Sequence, residues 1–363
     1  MIAEIPGAVE PERRVIIGNH RDAWTPGALD PNSGTSVMLE VARGFGELLK
    51  QGWAPRRTIQ FGSWDAEEFG LIGSVEWGEV NAAVLGAETV AYINVDTAAS
   101  GSSLGVGASP SLSNLVRNRT HYVTDPKTGK SLAEVWSGTV NPLGSGSDFA
   151  VFIEFLGIGS IDMSFGGSNG VYHSVYDSLT YVQTFSDPGF FYHETMAQLW
   201  GLITLKLADD WVLAFDYQEL ALELSKYTSH IEELAEDAGG SINVDPIVTA
   251  ITRLAAAGAS IEQERARCLV SVGACSALAL RSLNDRLAFA ERRLTNSFGL
   301  PKRPWYKNVI FAPGYETGYA ADTFPGVVDA IRDRDWDLAD SQIEVIASCV
   351  SNAASYLQNT VEI

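Results

Sequence analysis

The first 208 residues alternate between short strand-like and longer helix-like segments, and this alternation limits the fold more than any other feature. The strand-like segments are 15–18, 57–64, 90–95 and 156–161, and the helix-like segments are 34–51 and 66–81. Gly52 stands where a glycine commonly ends a helix, directly after the first of these. Such a strand–helix–strand rhythm predicts a largely parallel sheet with helices on both faces.

The second part of the chain has a different pattern, with helical periodicity and almost no strand signals. Its predicted helices are 217–236, 246–257, 261–268, 277–295 and 340–360. We therefore expect two domains, an α/β domain over residues 1–208 and an all-α domain over 209–363.

Charge and composition exclude several classes of function. The formal net charge of −20 argues against binding to nucleic acid or to an anionic membrane surface. No apolar run reaches the roughly 18 residues that a membrane helix needs.

Cys268, Cys275 and Cys349 are too few for a disulfide framework and lie in or beside helical stretches, so we expect buried free thiols.

Residues that can bind metals follow the predicted strands. His20 comes after the first strand, the acidic run 65–68 after the second and Asp96 after the third, while Asp30 and His173 lie in loops. Ligands of parallel α/β sheets bind at the carboxyl ends of the strands, and imidazole with carboxylate is a donor set that suits zinc. Each residue has another interpretation: a structural histidine, a turn-forming Asp30, or acidic residues at the start of a helix.

Several motifs resemble the glutamate carboxypeptidase and transferrin receptor family. They are GNHRDAW (18–24), DPNSG (30–34), SWDAEEFG (63–70), YINVD (92–96), VYHSVY (171–176) and FPG (324–326). The resemblance extends over essentially the whole chain. It implies a three-layer zinc-exopeptidase fold with a mostly parallel sheet, followed by a helical domain that forms dimers in the family.

The same resemblance implies a centre of two zinc ions. His20 and Asp96 would hold one ion, Glu68 and His173 the other, and Asp30 would bridge them. Two zinc ions about 3.5–4 Å apart need such a bridging carboxylate and share a water or hydroxide.

Further roles follow from the matched positions. Glu67 would be the general base that activates the bridging water, Asp22 would orient a ligand histidine, and Tyr172 would stabilise the oxyanion. Glu76 and Glu79 match ligands of a structural calcium ion, although glutamates with this helical spacing are more often surface residues.

The predicted substrate pocket departs from that of glutamate-specific members. Ser145, Gly146 and Tyr319 match substrate-binding positions, but Gly318 stands where those members have a lysine. Residues 161–167 replace their arginine patch. Because a pocket without these cations loses most of its reason to prefer acidic peptides, we do not expect glutamate specificity.

The predicted activity is that of a zinc-dependent exopeptidase, of carboxypeptidase or aminopeptidase type, acting on small peptides as a homodimer. The alternatives are a receptor-like or scaffold homologue without catalysis and a truncated, inactive fragment. Family members carry an anchor and an apical domain upstream of the first motif, so we expect a chain that lacks these parts. The resemblance suggests a membrane-anchored, secretory or vacuolar location for a full-length form.

Overall fold

The computed structural model describes residues 1–271 and 273–359, and its centre is a six-stranded sheet. The strands are β1 (Ile2–Ile5), β2 (Glu10–His20), β3 (Arg57–Trp64), β4 (Thr89–Asn94), β5 (Ser103–Ala108) and β6 (Ser160–Gly166). Their order across the sheet is β1-β3-β2-β4-β6-β5. The four inner strands are parallel, and β1 and β5 are antiparallel edge strands. The predicted α/β class with a mostly parallel sheet is confirmed.

Helices of the first part connect and cover these strands. They are α1 (Asn32–Lys50), α2 (Ile72–Val80), α3 (Ala82–Glu88), α4 (Pro110–Thr120), α5 (Leu132–Val135), α6 (Leu179–Tyr181) and α7 (Phe191–Asp209), with π-helical turns at Val151–Phe155 and Val182–Ser186. Helix α1 packs on α7, and α7 lies against β2, β3 and β4. Val37, Val41 and Phe45 form the buried stripe of α1, as its periodicity predicts.

The second part is mainly helical, as predicted. Its elements are α8 (Tyr217–Asp237), α9 (Asp245–Leu269), α10 (Ala277–Phe289), a 3₁₀ turn (Glu291–Leu294), a hairpin of β7 (Phe311–Pro313) and β8 (Ala321–Thr323), α11 (Pro325–Asp333) and α12 (Trp336–Gln358). Helix α9 packs against both α8 and α12. The hairpin and α11 were not predicted, and Thr360, the expected end of the last helix, lies outside the described residues.

Two predicted helices have different bounds. The helix expected from Ala66 begins only at Ile72, because Ala66 (φ 57°) and Leu71 (φ 60°) adopt left-handed backbone that interrupts a helix. The two helices expected at 246–257 and 261–268 are one helix, α9. Gly258 lies inside it because α9 approaches the start of α8 there, and a Cβ would lie 3.0 Å from the backbone nitrogen of Gln218.

The strand expected at 156–161 is also displaced. Residues 151–155 form a π-helical turn, and β6 begins at Ser160. Periodicity cannot separate a short buried helical turn from a buried strand when both are continuously apolar. Strands β1 and β5 were not predicted, because β1 has only four residues and β5 is interrupted by two glycines.

The prediction of three free cysteines was wrong for two of them. Cys268, at the end of α9, forms a disulfide with Cys275, which precedes α10, whereas Cys349 is a buried free thiol as expected. The seven-residue spacing alone does not determine whether two cysteines on either side of a helix end come close enough to form a bond.

Buried apolar side chains from both parts of the chain belong to one connected cluster, which extends from β2 to α12. The division at residues 208 and 209 therefore stays a prediction.

Within the described residues, no helix combines the length and the apolar character required to cross a membrane.

Candidate metal centre

The carboxyl ends of the parallel strands carry the candidate metal ligands. His20 is the last residue of β2, and Asp96 follows β4 by two residues. Glu67 and Glu68 lie in the turn after β3 rather than in a helix, so the interpretation of this acidic run as the first turn of a helix was wrong. Asp30 lies just before α1, and His173 lies in a loop with φ 55°.

The first group of candidate ligands is centred on His20. Its Nε2 atom lies 3.0 Å from Oδ1 of Asp96 and 3.9 Å from Oε2 of Glu67. The ligand atoms of these three residues all lie within 4.8 Å of one another. Glu67, predicted as a general base, is therefore also close enough to contact an ion held by His20 and Asp96.

The second group combines His173, Glu68 and Asp30. Nε2 of His173 lies 3.1 Å from Oε2 of Glu68 and 3.2 Å from Oδ2 of Asp30. The other oxygen of Asp30, Oδ1, lies 3.3 Å from Nε2 of His20. Asp30 therefore directs one oxygen towards each group, which is the arrangement required of a bridging carboxylate.

The donor set fits divalent cations. Oδ1 of Asp30 is buried and accepts no hydrogen bond, an arrangement that costs free energy unless a cation contacts the atom. Both groups combine imidazole nitrogen with carboxylate oxygen, the mixture that zinc prefers.

Electrostatics at the centre also favour a cation. Burial by itself would lower the pKa of His20, but the carboxylates of Asp30 and Asp96 outweigh burial and raise it to about 12. Burial and the neighbouring carboxylate of Asp96 raise the pKa of Glu67 to about 9. The carboxylates of the centre therefore stabilise a positive charge at His20 and disfavour a further negative charge at Glu67, as expected of a site that binds a cation.

Asp22 contacts the centre in a different way from that expected. Its carboxylate accepts hydrogen bonds from the backbone N–H groups of Glu67 (3.0 Å) and Glu68 (3.2 Å). Nδ1 of His20 lies 3.0 Å from the backbone oxygen of Asp22 but 3.7 Å from the carboxylate. Asp22 thus fixes the acidic turn through its side chain and fixes the histidine through its backbone.

Two further residues, Asp177 and Ser147, hold the candidate ligands in place and were not predicted. The carboxylate of Asp177 accepts hydrogen bonds from the backbone N–H groups of Leu29 (2.7 Å) and Asp30 (3.1 Å). Ser147 donates its hydroxyl to Oδ2 of Asp96 (2.6 Å). Neither contact has a local sequence signal, because the partners are far apart along the chain.

A cleft of about 650 Å³ opens over the two groups, and both parts of the chain line it. The predicted substrate-binding residues Ser145, Gly146 and Tyr319 all line this cleft, and so do Trp305 and Tyr306, which were not predicted. Tyr172 stacks on His173 with ring centroids 3.7 Å apart and is 60% exposed, so it too faces the cleft.

The predicted calcium ligands lie apart from this centre. Glu76 and Glu79 are on α2, are exposed and belong to neither group of candidate metal ligands. Oε1 of Glu79 accepts a hydrogen bond from Nε1 of Trp305 (2.5 Å). A calcium site at these residues stays a prediction.

Comparison with known proteins agrees with the resemblance seen in the motifs. Residues 1–187 match Peptidase family M28, and residues 242–358 match the transferrin receptor-like dimerisation domain. The chain is 41% identical over 372 residues to the "Probable glutamate carboxypeptidase LAMP1" of Arabidopsis thaliana, covering 99% of this chain and 54% of the relative. It is 35% identical over 391 residues to "Aminopeptidase NAALADL1" of Mus musculus, covering 97% of this chain and 51% of the relative.

The chain thus spans about half the length of the curated relatives that it matches. Among solved structures, a zinc aminopeptidase from Bacillus subtilis aligns with a TM-score of 0.45 and 21% identity, covering 57% of this chain and 50% of the other.

Proposed function

Because the chain belongs to peptidase family M28, we propose that it is a zinc-dependent exopeptidase that hydrolyses small peptides at a centre of two zinc ions. Relatives named as a carboxypeptidase and as an aminopeptidase support this class of reaction. The observation that carries the proposal is the position of Asp30, whose two oxygens face the two histidines at 3.3 and 3.2 Å.

In the proposed centre, His20 and Asp96 would hold one zinc, Glu68 and His173 would hold the other, and Asp30 would contribute to both. Bound zinc lowers the pKa of water and polarises a carbonyl group, which is the chemistry that peptide hydrolysis needs. Asp22 and Asp177 hold the backbones of Glu68 and Asp30 in place, respectively.

Glu67 is the proposed general base and acid. It would take a proton from the attacking water and deliver it to the amine nitrogen of the departing residue. Its position supports this role: its backbone is fixed by Asp22, and its side chain lines the cleft beside His20. The hydroxyl of Tyr172, on the wall of the same cleft, would donate a hydrogen bond to the oxygen of the scissile carbonyl.

The match of residues 242–358 to a dimerisation domain supports a further proposal, that two copies associate through the helical part. Sedimentation of the purified protein measures this directly. A monomer at micromolar concentration would contradict it.

Zinc content and peptide hydrolysis, compared between the wild type and Glu67→Gln, test the proposed reaction. General acid–base groups typically contribute about 10²–10⁴-fold, so we expect kcat to fall by this factor while both zinc ions are retained. Glu233→Gln, at an exposed position of α8, is the matched control and keeps full activity.

Each other outcome has a definite meaning. Loss of one zinc in Glu67→Gln would show that Glu67 is a ligand. A wild-type protein that binds no zinc contradicts the metal centre, and one that binds zinc but hydrolyses no peptide supports the receptor-like alternative.

A further inference from the structure

A second cavity of about 310 Å³ adjoins the metal cleft. Gly146 and Tyr319, which lie next to each other, line both spaces and form the border that a bound peptide would cross from one into the other. The floor of the second cavity is the antiparallel pair of β5 and β6.

The sequence of the two strands creates this space. Gly107 is paired with Asp162, and Gly105 with Ser164, so each polar side chain of β6 stands beside a residue without a side chain. Asp162 and Ser164 are two residues apart and therefore lie on the same face of the strand. The cavity thus has a carboxylate and a hydroxyl in its wall.

Asp162 is coupled to the metal centre by a short chain of hydrogen bonds. Nδ2 of Asn94 donates to Oδ1 of Asp162 (2.9 Å) and also to the hydroxyl oxygen of Ser147 (3.0 Å). Ser147 in turn donates to Asp96 (2.6 Å), a proposed zinc ligand. These contacts connect the carboxylate of Asp162 to the proposed metal centre through two buried side chains.

Among the residues that the structure describes, the carboxylate of Asp162 has hydrogen-bond partners but no cationic one. Within residues 1–271 and 273–359, no cationic side chain forms an ion pair with it, and no lysine or arginine lines either cavity. Two zinc ions would balance Asp30, Glu67, Glu68 and Asp96 but would leave the buried carboxylates of Asp148 and Asp162 uncompensated, and of these two only Asp162 lines the second cavity. Burial raises the pKa of Asp162 to about 7, and a cation bound next to the carboxylate would offset this desolvation cost.

We propose that Asp162 forms a subsite for a cationic group of the peptide, on the residue that precedes the scissile bond. This proposal rests on the proposed peptidase function. Two groups have the required chemistry: the free α-amino group of a peptide, and the side chain of lysine or arginine. An acidic side chain is disfavoured at the same place by like-charge repulsion.

Dipeptides distinguish the two sources, since each has a single peptide bond. The panel is Leu-Ala, N-acetyl-Leu-Ala, N-acetyl-Lys-Ala and N-acetyl-Glu-Ala, measured with the zinc-loaded protein. A charge-assisted hydrogen bond to Asp162 predicts a preference of at least about tenfold in kcat/KM for the cationic member of a pair. Lys over Leu among the acetylated substrates identifies the side chain, and Leu-Ala over its acetylated form identifies the amine.

Asp162→Asn keeps the shape of the side chain and removes its charge, so this preference should fall to near one, and Asp162→Lys should favour N-acetyl-Glu-Ala. Asp340→Asn makes the same charge change at an exposed position of α12 and should keep the wild-type ratio. A wild-type ratio near one for both pairs, or a ratio that Asp162→Asn leaves unchanged, overturns the subsite and leaves the peptidase proposal intact.

A protein that hydrolyses none of these peptides contradicts the proposed function instead. The subsite is then judged by calorimetric binding of N-acetyl-Lys-Ala and Leu-Ala, each compared with N-acetyl-Leu-Ala. Tighter binding of a cationic peptide that is lost in Asp162→Asn supports the subsite, and equal binding of all three overturns it.

Discussion

Asp177 is not a proposed metal ligand, yet it holds the backbone of the residue that would bridge the two ions. Its side chain is buried, and each of its two oxygens accepts one backbone N–H, from Leu29 and from Asp30. The substitution Asp177→Asn replaces one of these oxygens with an amide N–H₂ group. One backbone N–H then faces another donor, so the loop before α1 is no longer fixed at Asp30.

The size of the effect follows from the lost contact. A hydrogen bond to a charged group contributes about 1.5–3 kcal/mol, and a factor of ten in affinity corresponds to about 1.4 kcal/mol. If most of this energy positions Asp30, zinc affinity should fall about 10- to 100-fold, the range typical of groups that orient a metal ligand. The zinc ions of the proposed centre would then be released more readily to a competing chelator.

Competition with a chromogenic zinc chelator measures this affinity, and Asp187→Asn provides a matched control. Asp187 is also a buried aspartate; its Oδ2 atom accepts two successive backbone N–H groups, those of Tyr192 and His193 at the start of α7, and lies 2.7 Å from Nδ1 of His193. Within the described part of the chain, none of the hydrogen bonds or ion pairs of its side chain involves a candidate metal ligand. We therefore expect both variants to lose thermal stability but only Asp177→Asn to lose zinc.

Equal zinc affinity in the wild type and Asp177→Asn, together with a lowered melting temperature, would refute the reasoning. Asp177 would then stabilise the fold without positioning the bridging ligand. Loss of zinc in both variants would show that the metal centre responds to general destabilisation.

Three further predictions concern stability. Gly34→Ala places a Cβ atom 2.1 Å from the backbone oxygen of Asp96, so it should lower the free energy of unfolding in urea by about 1–3 kcal/mol. Gly46→Ala, in the same helix, places a Cβ atom with no neighbour within 4 Å and should leave this free energy unchanged or raise it. Replacing Cys268 and Cys275 together with serine should cost about 2–3 kcal/mol, because the disulfide no longer restricts the unfolded chain; an unchanged denaturation midpoint would contradict this. Although burial opposes it, hydrogen bonds from His193 hold the pKa of Asp187 below its usual range. The free energy of unfolding of the wild type should therefore exceed that of Asp187→Asn by its full amount above about pH 4, and this difference should decline as the pH falls through the folded-state pKa. A difference that grows in acid would contradict the prediction.

Local sequence pattern was sufficient to predict β3 and α1. The bounds of β3 were predicted from its sequence. Helix α1, whose apolar residues repeat with the helical period, differs from prediction by one or two residues. The turn after β3 was predicted as helix because acidic residues also favour helix starts. The left-handed backbone of Ala66 and Leu71, which the sequence does not reveal, prevents a helix there. The pairing of Cys268 with Cys275 was missed for a similar reason, since it depends on the chain direction after α9.

The sequence by itself determined the chemical groups of this protein: two histidines and a set of carboxylates, placed at strand ends by a parallel α/β pattern. Tertiary structure alone decided which atoms meet. The position of Asp30 between His20 and His173, and the opening of the Asp162 cavity beside the cleft, depend on residues more than a hundred positions apart. Periodicity reports how a segment buries its own face, whereas such contacts arise only when separate segments pack together.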